Sequence, residues 1–124
     1  MTITMTHAAI EMEQRIDTVT PHEVITLLMN GAQERIEQAC QSLSAGETEV
    51  AGELMTKLVG IINGLRGSLD FEVGGELAEN LDKVYGYLVE RLCTAEEDTA
   101  ITVLEEAKQL LGELQSGWVA IAAE

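Results

Sequence analysis

Two histidines, two cysteines and 22 carboxylates are the side chains of this 124-residue sequence that could bind a metal, attack an electrophile or move a proton. None stands in the pattern such chemistry needs. A di-iron bundle places Glu-x-x-His pairs on two helices, but here the residue three before His7 is Thr4, and three before His22 is Val19. His22 falls in the first turn of a predicted helix, where an exposed side chain is expected. Cys40 lies on an apolar stripe and reads as a small core residue. Cys93 has no histidine or basic cluster beside it to lower its pKa, so a nucleophile is not expected there. Gly74-Gly75 is followed by no phosphate-cradling pattern. Most carboxylates fall on polar helix faces. The sequence predicts no catalytic residue, no cofactor and no metal, hence no enzyme.

Seven Lys and Arg against 22 Asp and Glu give a formal charge of −15 at pH 7. Nucleic acid is excluded as a direct partner, because phosphate contacts need clustered Lys and Arg. An anionic membrane surface is disfavoured for the same reason. No run of 18 apolar residues occurs, so no membrane insertion is expected. The opening MTITMTHAAI has neither a basic stretch nor a continuous apolar one, so no secretory signal is expected. Two thiols in an acidic chain fit a reducing cytoplasm, although spacing alone leaves a Cys40–Cys93 disulfide open. A hydrophobic content of 46% is too high for a disordered acidic tail. The length suits one domain whose core needs no staples.

The elements follow from apolar residues recurring three and four apart. Thr20-Pro21-His22-Glu23 carries a capping residue, a proline suited to the first helical position and a capping-box glutamate. Ile25, Leu28, Met29, Ala32, Ile36, Ala39, Cys40 and Leu43 form the stripe of the first helix, which Ser44-Ala45-Gly46 ends. The second carries Ala51, Leu54, Met55, Leu58, Ile61, Ile62, Leu65 and Leu69. A loop is expected over 70–75. Leu77, Leu81, Val84, Tyr85, Leu88 and Leu92 mark the third helix, and Leu104, Ala107, Leu111, Leu114, Trp118 and Ile121 the fourth. The predicted helices span about 20–43, 48–69, 76–93 and 98–122. Short loops between equal amphipathic helices make neighbours antiparallel. The expected fold is all-α: an up-down-up-down four-helix bundle over 20–124. Residues 1–19 form an N-terminal arm, mobile or with a short helix. Leu65, Leu81 and Leu111 are expected in the core.

The outside of this bundle is unusual. Gly60, Gly64 and Gly67 share one face of the second helix, roughly 140–160° from its core stripe at 100° per residue. Each costs about 1 kcal/mol relative to alanine in an exposed helix interior. An exposed glycine ridge is a surface on which another backbone can lie closely. Leu27, Val59 and Tyr87 also fall off their stripes. These residues (Leu27, Val59, Gly60, Gly64, Gly67 and Tyr87) are the candidate partner-binding set.

Several words resemble a known family in order. Thr20-Pro21-His22-Glu23 followed by Leu27-Leu28-Met29-Asn30-Gly31-Ala32 is similar to the opening helix of the flagellin-specific secretion chaperones, the FliS type. Leu65-Arg66-Gly67-Ser68-Leu69-Asp70 is similar to the end of their second helix. Gly74-Gly75-Glu76-Leu77-Ala78-Glu79-Asn80-Leu81, with Tyr85 and Arg91-Leu92 beyond, resembles their third. Trp118 after Leu110-Leu111 and Leu114 resembles the closing segment. The resemblance covers about residues 18–121. Met29 and Asn30 depart from the aromatic-Asp pair of many members, Ala95-Glu96 from their Ala-Asn, and the arm lacks their tyrosines. The resemblance implies a cytoplasmic bundle that wraps the C-terminal segment of flagellin on its outer surface. It would prevent premature polymerisation and deliver the loaded complex to a flagellar export-gate protein. Two other readings of the same surface are a bundle that sequesters a transcription or anti-sigma factor, and a structural homo-oligomer.

Overall fold

The computed structural model describes residues 20–123, with side chains described through residue 118. The arm expected over 1–19 lies outside the described residues. Four helices follow one another: α1 (Pro21–Ser44), α2 (Thr48–Gly67), α3 (Phe71–Thr94) and α4 (Ala100–Ala123). No strand occurs among the described residues. The fold is an antiparallel four-helix bundle.

Local chemistry sets the ends. Thr20 caps α1, its side-chain oxygen accepting from the Glu23 N–H at 3.2 Å, with Pro21 in the first turn. α1 stops where Gly46 takes φ 79° and the Glu47 N–H donates to the Ser42 carbonyl at 2.8 Å. That left-handed conformation is open to glycine at little cost. α2 ends as the Ser68 hydroxyl donates to the Leu65 carbonyl at 2.8 Å.

The stretch expected as a loop over 70–75 instead begins α3. Asp70 is a strong cap, and its Oδ1 accepts from the N–H groups of Glu72 and Val73 at 3.0 and 3.1 Å. This wins one helical turn before the chain breaks at Gly75 (φ 49°, ψ −123°). Both glycines are required at the bend. Gly75 has a positive φ, and a Cβ on Gly74 would stand 2.9 Å from the Ala78 Cβ.

The core is one apolar cluster contributed by every helix: Met29, Ala32, Ile36 and Ala39 of α1; Leu58, Ile62 and Leu65 of α2; Tyr85, Leu88 and Leu92 of α3; Val103, Leu104, Ala107 and Leu111 of α4. Leu65 and Leu111 are buried as expected. Leu81 is only half-buried, and Leu77, also on the predicted stripe, is 59% exposed. The reason is an opening between α3 and α4 that both side chains line. Both cysteines are free thiols, Cys93 exposed and Cys40 half-buried. Burial, then the charge of Glu105, pushes the Cys40 thiol above its ordinary value.

Polar links cross between neighbours at the surface. Gln33 Nε2 donates to the Lys108 carbonyl at 3.1 Å and Gln115 Nε2 to Asn30 Oδ1 at 3.0 Å, pairing α1 and α4 in opposite directions. Arg66 of α2 grips Asp82 of α3 side-on, with Nε at 2.6 Å from Oδ1 and Nη2 at 3.4 Å from Oδ2. Glu106 of α4 accepts from the Tyr87 hydroxyl at 2.8 Å and from Arg91 Nε at 3.1 Å, both on α3. The Arg66 hydrogen bond holds Asp82 below its ordinary value of 3.8. Hydrogen bonds from Tyr87 and then Arg91 do the same for Glu106.

A carboxylate depressed in the folded state adds stability above its ordinary value and loses it as the pH falls through its folded one. Asp82→Asn should therefore melt slightly below the parent chain at pH 7, the pair being solvent-screened. The gap should close as the pH drops below 3.8. A gap of the same size in strong acid would show that Asp82 acts through packing and not through its charge. Differential scanning calorimetry across pH makes the comparison.

Candidate functional site

α3 and α4 pack the least closely of the four neighbouring helix pairs. They meet where Tyr87 and Arg91 reach Glu106. Toward the opposite end, on both sides of the break at Gly75, a groove of about 490 Å³ opens between them. Its walls are Leu69, Val73, Leu77, Leu81 and Tyr85 on one side and Leu114, Gly117 and Trp118 on the other, over a base that includes Ile25, Met29 and Leu65. The lining is overwhelmingly apolar, with Ser68, Asp70 and Glu113 as its polar members. Burial alone pushes the Tyr85 phenol above its ordinary value.

The exposure at the mouth is high. Val73 is 87% exposed and Leu77, across the bend at Gly75, 59%. Single exposed apolar residues are ordinary, but a contiguous set around a groove marks a binding surface.

One end of the groove is fixed by a clasp between the first turn of α1 and the last turns of α4. The His22 and Trp118 rings stack with centroids 4.3 Å apart and planes 10° apart. Trp118 Nε1 donates to the His22 carbonyl at 3.2 Å and to Thr26 Oγ1 at 3.1 Å, and His22 Nε2 lies 3.2 Å from the Trp118 carbonyl. His22 was expected to stand free in solvent; it is half-buried because the antiparallel pairing of α1 and α4 brings Trp118 onto it. His22 thus packs against Trp118, a member of the groove wall.

The candidate residues named from the sequence lie elsewhere. None of Leu27, Val59, Gly60, Gly64, Gly67 and Tyr87 lines this groove. Gly60, Gly64 and Gly67 are exposed, as their face of the helix requires, and Leu27 is 45% exposed. Gly64 adjoins Leu28 of α1, whose Cδ1 would lie 4.0 Å from an added Cβ. Gly64 thus borders the α1–α2 seam, while Gly60 and Gly67 face open space, with nothing within 4 Å of an added Cβ. Val59 is half-buried against the core, and Tyr87, 45% exposed, is tied to Glu106. A second depression, between α1 and α4, is edged by Glu37, Glu105, Lys108 and Glu113, with Cys40 and Ile101 in its lining, so that Glu113 stands on the rim shared with the groove.

Gly64→Ala should stabilise the bundle by about 1 kcal/mol, since alanine favours helix and the new methyl meets only ordinary contact at 4.0 Å. Urea titration checks this. A loss of stability would mean that the seam closes more tightly than its spacing indicates.

No group of His, Cys, Asp and Glu able to hold a metal ion occurs among the described residues. No helix among them is long and apolar enough to cross a membrane. In class, then, the molecule is a four-helix bundle with a clasped, open apolar groove. The family model described as Flagellar protein FliS matches residues 4–124, and the chain belongs to that family. It is 41% identical over 113 residues to the Flagellar secretion chaperone FliSB of Pseudomonas aeruginosa, covering 91% of this chain and 90% of that one. It is 33% identical over 117 residues to the Flagellar secretion chaperone FliS of Salmonella typhimurium, covering 94% and 87%. The FliS of Bacillus subtilis is 26% identical over 106 residues, covering 86% and 78%.

Proposed function

We propose that this chain is a cytoplasmic, non-enzymatic chaperone of flagellin. It binds the C-terminal segment of newly made flagellin, keeps it from polymerising and escorts it to the flagellar export gate. The observation that carries this reading is the apolar groove between α3 and α4 in a chain whose relatives are named flagellar secretion chaperones. A sticky amphipathic helix laid in such a groove buries the face by which it would otherwise associate with its own kind. The outer surface of α1 and α2 that carries the exposed Leu27, Gly60, Gly64 and Gly67 is proposed as a second contact for a segment long enough to wrap the bundle. Val59 and Tyr87 are already engaged within the bundle and would contribute less. A segment that orders on binding covers a large surface at moderate affinity, which suits a cargo that must be released.

Seeded growth of flagellin filaments, followed by light scattering, tests the reading. One equivalent of this chain should stop growth with full-length flagellin encoded by the same genome, and flagellin truncated at its C-terminus should not be captured. Growth that continues undiminished would refute it.

A further inference from the structure

The groove is apolar, but its charged lining is of one sign. Asp70 stands on one side, at the start of α3, and Glu113 on the other, on α4; no Lys, Arg or His lines it. Arg66, close by in sequence to Ser68 and Leu69, is taken by Asp82. Asp70 spends Oδ1 on the Glu72 and Val73 N–H groups. Glu113 makes no ion pair with any described residue.

We propose that the helical segment seated in this groove carries a Lys or Arg at the edge of its apolar stripe, set against Glu113, and that this pair selects the segment's register. The proposal rests on the reading of the groove as the flagellin seat. Its physical reason is that apolar burial is non-directional. A helix whose apolar stripe repeats every three or four residues can slide along such a groove by one turn and bury nearly as much. A charge at the rim breaks that degeneracy, because a misplaced acidic residue meets Asp70 or Glu113, and a misplaced base loses its partner. The same lining rejects a segment with an acidic edge, to which the overall charge of −15 adds at longer range.

Calorimetric titration with the flagellin C-terminal segment tests this on four chains: the parent, Glu113→Lys, Glu105→Lys and Val73→Ser/Leu77→Ser. Glu113 borders both the groove and the α1–α4 depression, whereas Glu105 edges only the depression, so its reversal changes net charge and the depression equally without touching the groove. Glu113→Lys should weaken binding about tenfold at low salt, and less at high salt, while Glu105→Lys should change it less than about twofold. A segment in which one Lys or Arg is exchanged for Glu should recover affinity for Glu113→Lys at a single position only, which identifies the register. Equal effects of Glu113→Lys and Glu105→Lys, with Val73→Ser/Leu77→Ser still abolishing binding, would overturn the charge pairing and leave the groove as the seat. Binding indifferent to Val73→Ser/Leu77→Ser, or absent from the parent chain, would remove the seat and the pairing with it.

Discussion

Val73→Ser/Leu77→Ser should lose the flagellin segment while the bundle stays folded. The two side chains are 87% and 59% exposed in the free protein, so their truncation removes little that holds the fold. Surface changes of this kind usually fall within about 0.5 kcal/mol of neutral. In the complex the same atoms would be covered. Full burial of one such side chain contributes about 1.5–3 kcal/mol. Allowing for the part of Leu77 that is already covered, the pair should contribute about 2–4 kcal/mol, or roughly 30- to 1000-fold in Kd. Fluorescence anisotropy with a labelled segment reads the loss, and circular dichroism checks the fold. Affinity within about twofold of the parent chain, at unchanged helicity, would move the seat to the outer surface of α1 and α2 that carries Leu27, Gly60 and Gly64.

The opposite pattern is expected deeper in. Leu111→Ala and Leu65→Ala should each destabilise the bundle by about 2–5 kcal/mol, the range for emptying a close-packed leucine site. Leu111 is 0% and Leu65 1% exposed, and both belong to the cluster to which every helix contributes. Leu81→Ala should cost distinctly less, because that side chain is half-buried at the groove wall and leaves no closed cavity. Urea unfolding of the three variants ranks them. A cost at Leu81 equal to that at Leu111 would mean that the groove is closed in solution.

That ranking also marks what the sequence could and could not convey. The number of helices and the antiparallel bundle were legible, because Leu58, Ile62 and Leu65, or Leu104 and Leu111, repeat at helical spacing. Periodicity also placed Gly60 and Gly64 on the outside. It could not reveal the groove. Leu69, Leu77, Leu81, Leu114 and Trp118 sit on the same stripes as true core residues, and a stripe states which side of a helix is apolar, not whether a neighbour covers it. What keeps the groove between them open is the loose packing of α3 on α4 beyond the Tyr87–Glu106 link, a tertiary quantity. A local signal was present nonetheless. Phe71 and Val73 beside Gly74-Gly75 put two large apolar residues in the first turn of α3, just before a bend that only glycine accommodates. Reading 70–75 as a plain loop missed the Asp70 cap. The His22–Trp118 clasp joins residues 96 apart. Only the antiparallel pairing of α1 with α4 brings those two helix ends together.

Titration of the chain with the flagellin C-terminal segment, by calorimetry at several temperatures with helicity followed in parallel, is the most direct measurement of flagellin capture. A one-to-one complex is expected, with helix gained by the segment and heat capacity falling on binding as apolar surface is covered. Added salt should weaken it only modestly, since screening acts on the rim charges and not on burial. No heat at any temperature and no gain of helix, with authentic flagellin sequence, would contradict it.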